Sequence, residues 1–267
     1  MRANTSSIRA IAAAFVLLLT TAASRAVLLD WAALPSGQSW TQGALTGSFN
    51  LDGVAGNDIQ ISIVSSGVTF ASDATGTYPQ NIADAAINSS VKGLQLWTSA
   101  GMTNSTNKVT VTISFLGTYA TGTPVSLTLF DVDATSTSFI DKISVTAVNG
   151  ATPVNLTATF AGTGTQSNTI TGSGGANPII TGLTSVGNIS NSQGNVLISS
   201  GTASVTSITF VWNNPGPNFG GQAIDLGNIN FAPEVGSSTV ALALCAGLLI
   251  FGRRRRSAAR LAACSAA

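Results

Sequence analysis

From Ile59 to Phe231 apolar and polar residues alternate with period two, and this pattern constrains the fold more than any other feature. A strand turns successive side chains to opposite faces, so period two marks strands with one buried and one solvated face. Ile59, Ile61 and Ile63 alternate with Gln60 and Ser62, and Val109, Val111, Ile113 and Phe115 with Thr110, Thr112 and Ser114. The runs Val125-Leu127-Leu129, Ile143-Val145-Ala147, Val154-Leu156-Ala158-Phe160 and Ile208-Phe210-Trp212 continue the theme. Two such apolar faces bury one another in a sandwich about 10 Å thick. The expectation is an all-β fold: a single antiparallel β-sandwich, jelly-roll-like, of about ten strands over residues 27–232. Two smaller sandwiches are the alternative, but no Pro-rich or charged linker divides this stretch.

Three local signals refine the pattern. Ile224 and Leu226 share one parity and Ile229 and Phe231 the other, with Gly227-Asn228 between them. Either an extra residue forms a β-bulge there, or two short strands meet at a turn. Asn149-Gly150 falls between two alternating runs, a strong hairpin signal. Tyr78 to Gly93 sets Ile82, Ala83, Ala86 and Ile87 on one helical face, which fits a short helix or a long crossover loop equally.

Charge is scarce and segregated. Charged residues make up 8% of the 267, against about 25% in ordinary soluble domains. The middle of the chain holds three lysines, Lys92, Lys108 and Lys142, against nine aspartates, while eight arginines lie near the two ends. A mildly acidic body offers no basic surface to neutralise phosphates, which excludes nucleic acid as a partner. It is also no strong lure for anionic polymers.

The ends read as targeting segments. Residues 1–26 have the form of a secretory signal peptide: Arg2 and Arg9, then an apolar stretch from Ala10 to Leu19, then Ser24-Arg25-Ala26 before a cleavage point at Val27. At the other end Val240 to Phe251 is apolar apart from Gly247, and Arg253, Arg254, Arg255 and Arg256 follow. A helix over 235–252 would be about 27 Å long, close to a hydrocarbon core of about 30 Å. The arginines would keep its C-terminal side in the cytoplasm, with 257–267 as a cytoplasmic tail. The cysteines, Cys245 and Cys264, both fall in this region, so no disulfide is expected in the body.

Pro233-Glu234-Val235, the apolar run and the arginine cluster together resemble the PEP-CTERM sorting signal of Gram-negative bacteria. The resemblance covers about 233–256. Its third motif residue here is Val235 in place of proline, and Ser257 to Ala267 follow the arginines. It implies export, an inner-membrane anchor through 235–252 with the body in the periplasm, and processing near the motif by an exosortase-type sorting enzyme. Passage to the cell surface or an extracellular matrix would follow. A plain C-terminal anchor that is never removed is the alternative.

Composition also limits the chemistry. The chain has no histidine, and the body has no cysteine or glutamate. That removes most zinc and copper sites, Ser-His-Asp and Cys-His catalysis. Ser89 to Lys92 and Ser105 to Lys108 match a Ser-x-x-Lys spacing, which is a nucleophile signature only on a helix. Asp131 and Asp133, at a strand end, and Asp141 offer hard carboxylate oxygens that suit Ca²⁺; capping a turn or pairing with a lysine is the other reading. Calcium is the one cofactor the sequence suggests. Among the four tryptophans, Trp212 follows the parity of Ile208 and Phe210 and belongs to the core. Trp97 opposes the parity of Leu94 and Leu96, which makes it the candidate for an exposed, ring-stacking aromatic. Phe219, in the polar loop Asn213 to Gly221, is the second. The sequence thus points to a non-enzymatic surface or matrix protein associated with the envelope or with extracellular polysaccharide. A carbohydrate-binding module, with or without calcium, is the alternative.

Overall fold

The computed structural model describes residues 27–74, 76–83, 92–102, 106–135, 139–162, 165–185, 193–216 and 221–231. The signal peptide, the sorting motif Pro233-Glu234-Val235, the apolar run with Arg253 to Arg256, and Phe219 lie outside them. Among the described residues no helix is long and apolar enough to cross a membrane.

The fold is all-β and antiparallel, with two large sheets packed face to face. The first sheet is built on β18 (Gln222–Phe231). One edge of β18 pairs with β10 (Val125–Phe130), followed outward by β16 (Val196–Ser199) and β13 (Thr157–Phe160). Its other edge is shared by β8 (Lys92–Ala100) and β1 (Val27–Leu29). Beyond β8 lie β4 (Thr69–Phe70) and β7 (Gln80–Ala83). The second sheet runs in the order β14 (Asn168–Thr171), β15 (Ile179–Gly182), β11 (Lys142–Asn149), β17 (Ser207–Asn213), β9 (Lys108–Phe115), β3 (Ile59–Ser66), β2 (Thr46–Phe49). There β12 (Thr152–Val154) also pairs with β11, and β5 (Ser72–Asp73) and β6 (Gly76–Thr77) form a separate hairpin. From β8 to β11 the chain crosses between the large sheets at each step, so chain neighbours are seldom sheet neighbours.

The period-two residues meet where expected. Leu96, Leu129, Ile224 and Leu226 of the first sheet face Val111 and Phe210 of the second around a void of about 10 Å³. That is no more room than one water needs, and its walls are apolar, so the two faces leave no space for a hydrated gap at this point. Trp31 and Trp40 are also core residues, packed edge to face at 6.2 Å, with Trp31 against Phe49 at 5.8 Å.

The phase break is a bulge within one continuous strand. Leu127 pairs with Ile229 but Leu129 with Leu226, so Gly227 and Asn228 together oppose Thr128. A Cβ on Gly227 would sit 2.3 Å from Phe130 Cε2 and 2.9 Å from the Thr128 carbonyl oxygen, which explains the glycine. Trp31 closes the bulge: its indole N–H donates to the Gly227 carbonyl at 3.0 Å, and its backbone N–H to Asn228 Oδ1 at 3.0 Å.

The hairpin signal is met one residue later than the usual pattern. Asn149 pairs with Thr152, so the loop is Gly150-Ala151. Gly150 has φ +60° and Ala151 does not have positive φ, which is the type II′ arrangement with glycine first.

Two expectations are corrected. Gln80–Ala83, read as part of a short helix or a long crossover loop, is a strand paired with Lys92 to Gln95, and 84–91 lie outside the described residues. The run Val154 to Phe160 is not one strand. Val154 pairs in the second sheet, Leu156 bridges Gly175, and Ala158 pairs in the first sheet. Alternation survives the crossing because both halves face the same core, until Phe160 emerges 45% exposed at the sheet edge.

Candidate functional site

The predicted calcium residues lie at one end of the sandwich, where the connection after β10 meets the start of β11. Asp141 is fully buried. Its Oδ1 accepts the Trp212 indole N–H at 2.8 Å and its Oδ2 the Asp133 backbone N–H at 3.2 Å. Its own backbone N–H donates to the Asp133 carbonyl at 2.9 Å, and its carbonyl accepts from Gly182 N–H at 2.8 Å. Asp133 is buried, and Asp131 adopts φ +61°, the only non-glycine residue with positive φ among those described. Burial holds the Asp141 carboxyl well above the usual carboxylate range, and the charge of Asp133 adds to it. The described residues contain no group of three or more His, Cys, Asp or Glu side chains arranged to hold a metal ion. The three aspartates therefore do not converge as a carboxylate cage. Asp141 turns inward to hold the tryptophan and a backbone turn.

The Ser-x-x-Lys matches have no helix under their lysines: Lys92 opens β8 and Lys108 opens β9. Ser89 and Ser105 lie outside the described residues.

Trp97 stands where its parity placed it, on the outer face of the first sheet and only part-buried. It is opposite Ala223 of β18. Tyr78 packs against it edge to face, with ring centroids 5.1 Å apart. A Cβ at Gly221 would come 3.2 Å from its indole nitrogen. Two small residues, Ala223 and Gly221, keep the ring from being walled in.

The next row of the same face was not legible from sequence. Register aligns Gln80 of β7, Gln95 of β8, Asp225 of β18 and Phe130 of β10 side by side. Directly opposed residues share a sheet face, so two amides and a carboxylate line up beside Trp97, all three buried. Asp225 is simply the polar partner in the alternation of Ile224 and Leu226, so its burial gave no sign in the sequence. Gln80 was hidden because its segment fitted a short helix or a loop equally.

No family model matches the chain, and no curated protein matches it. Among solved structures, a carbohydrate-binding module studied for specific mannan recognition is 10% identical, covering 79% of this chain and 100% of that one at a TM-score of 0.37. A family 11 carbohydrate-binding module from Clostridium thermocellum, in complex with a β-1,3-1,4-mixed-linked tetrasaccharide, is 13% identical, covering 79% and 96% at a TM-score of 0.27.

Proposed function

We propose that the chain is an exported, non-catalytic protein whose sandwich binds polysaccharide at the cell surface. The observation that carries this reading is Trp97, a part-exposed indole on the outer face of a sheet. An aromatic face takes the C–H side of a sugar ring; Gln80, Gln95 and Asp225 in the next row are buried, so the ring itself makes the contact. The absence of histidine from the sequence, and of cysteine and glutamate from the body, supports binding over catalysis.

Delivery follows from the C-terminal resemblance. Pro233-Glu234-Val235 is the sorting motif, 235–252 the anchor and Arg253 to Arg256 the cytoplasmic stop. An exosortase-type enzyme then releases the body to the envelope or to an extracellular polysaccharide layer.

The binding reading is tested by pull-down of the detergent-solubilised chain on insoluble polysaccharides of bacterial and plant origin. Retention on at least one polymer, lost in Trp97→Ala, is expected. Retention on none would sink it.

A further inference from the structure

A second feature lies on the same outer face, toward the opposite end of β18. Pro124, Ser126, Ser199, Gly201, Asn230 and Phe231 are among the residues lining an open depression of about 170 Å³. Register makes its floor a row: Ser126 of β10 is opposed by Ser199 of β16 on one side and by Asn230 of β18 on the other. The row continues to Leu28 of β1, which is 42% exposed. At the strand spacing of about 4.8 Å, the three polar side chains span about 10 Å.

The chemistry of this row is specific. The Ser126 hydroxyl and the Asn230 amide have no hydrogen-bond partner among the described residues. Ser199 Oγ accepts from the Gly201 N–H at 3.0 Å, which leaves its O–H to donate. The depression is lined by no charged residue. It therefore offers donors and acceptors to a hydroxylated ligand and no counter-charge to an anionic one.

The bulge matters here. Without it, Asn230 would keep the parity of Ile224 and Leu226 and face the core. The extra residue at Gly227-Asn228 flips the phase, so Asn230 shares the outer face with Ala223 and its neighbour Trp97. Ala223 and Asn230 are separated along β18 by about 20 Å at the strand rise of 3.3 Å per residue.

We infer that the Ser126–Ser199–Asn230 depression is a second sugar-contacting subsite, and that the ligand is an internal stretch of a neutral, extended polysaccharide long enough to reach from it to Trp97. This rests on the polysaccharide reading above and names its ligand class. A chain end or a single sugar would need only one of the two positions. A polymer reaches both, and each contact raises the effective concentration of the other.

The test is affinity electrophoresis of the detergent-solubilised full chain through gels containing mannan, a neutral β-glucan, or alginate as the anionic polymer. Retardation on a neutral polymer is expected. The double variant Ser126→Ala/Asn230→Ala should weaken it about fivefold to tenfold, the scale of two lost hydrogen bonds. Both substitutions are on solvated positions, and unchanged melting confirms intact folding. Retardation that Trp97→Ala abolishes but the double variant leaves intact would overturn the second subsite and spare the polysaccharide reading. Retardation by alginate alone would overturn the neutral ligand. No retardation on any polymer would end both.

Discussion

Trp212 and Asp141 are 71 residues apart in sequence, yet the indole N–H donates to the carboxylate at 2.8 Å with both side chains buried. The pair joins the end of β17 to the start of β11, whose strands are in register from Asn213 and Lys142 onward. Burial raises the Asp141 pKa, and Asp133 raises it further. A carboxyl with a raised folded pKa favours the fold fully below the ordinary value near 3.8. That contribution is lost as pH rises from there through the raised value. Asp141→Asn stays neutral throughout but sets an amide N–H₂ toward one of the two N–H donors. The variant should therefore be less stable by about 1–3 kcal/mol at low pH, with the gap closing as pH rises above about 4. Melting curves from pH 3 to 8 check this; a gap that is constant or widens would contradict it.

Calcium should leave the fold unchanged. Both Asp141 oxygens already accept N–H donors, and no three-carboxylate group surrounds them among the described residues. A ligand that binds only the native state raises the melting temperature as its concentration exceeds Kd. Equal melting temperatures in millimolar Ca²⁺ and in chelator are the expected result. A rise with Ca²⁺ would contradict this.

Two glycines are fixed by packing. A Cβ on Gly182 would fall 1.8 Å from the Asp133 carbonyl oxygen, a backbone atom that cannot step aside. Gly182→Ala should cost about 3 kcal/mol or more. Gly227→Ala meets the Phe130 ring, whose side chain can turn away, and the Thr128 carbonyl oxygen only at 2.9 Å, and should cost about 1–3 kcal/mol. Urea midpoints rank the two; the reverse order would mean that the β10–β18 bulge is the stiffer site.

Much of this architecture was legible because the alternation is strict where both sheets bury a face. Ile59, Val111, Leu127, Val145 and Phe210 all sit in the core as their parity requires. The bulge was legible because an added residue must flip parity. For Gln80–Ala83 the local pattern left a short helix and a loop equally open and missed the strand, since four residues carry too little pattern; pairing with β8 settles it. The candidate site was half legible. Trp97 announced itself by parity, whereas Gln80, Gln95 and Asp225 become neighbours only through register between strands far apart in sequence. The Ser126–Asn230 row was invisible for the same reason.

The central claim is that Trp97 meets sugar, and tryptophan fluorescence tests it most directly. Trp31, Trp40 and Trp212 are 1%, 7% and 1% exposed, so a bound sugar ring has one indole within reach. Titrating the detergent-solubilised chain with the polysaccharide that retains it should shift the emission in a saturable way, and Trp97→Phe should remove the shift while leaving the melting temperature within a few degrees. A saturable shift that persists in Trp97→Phe, or binding with no shift at all, would contradict the account.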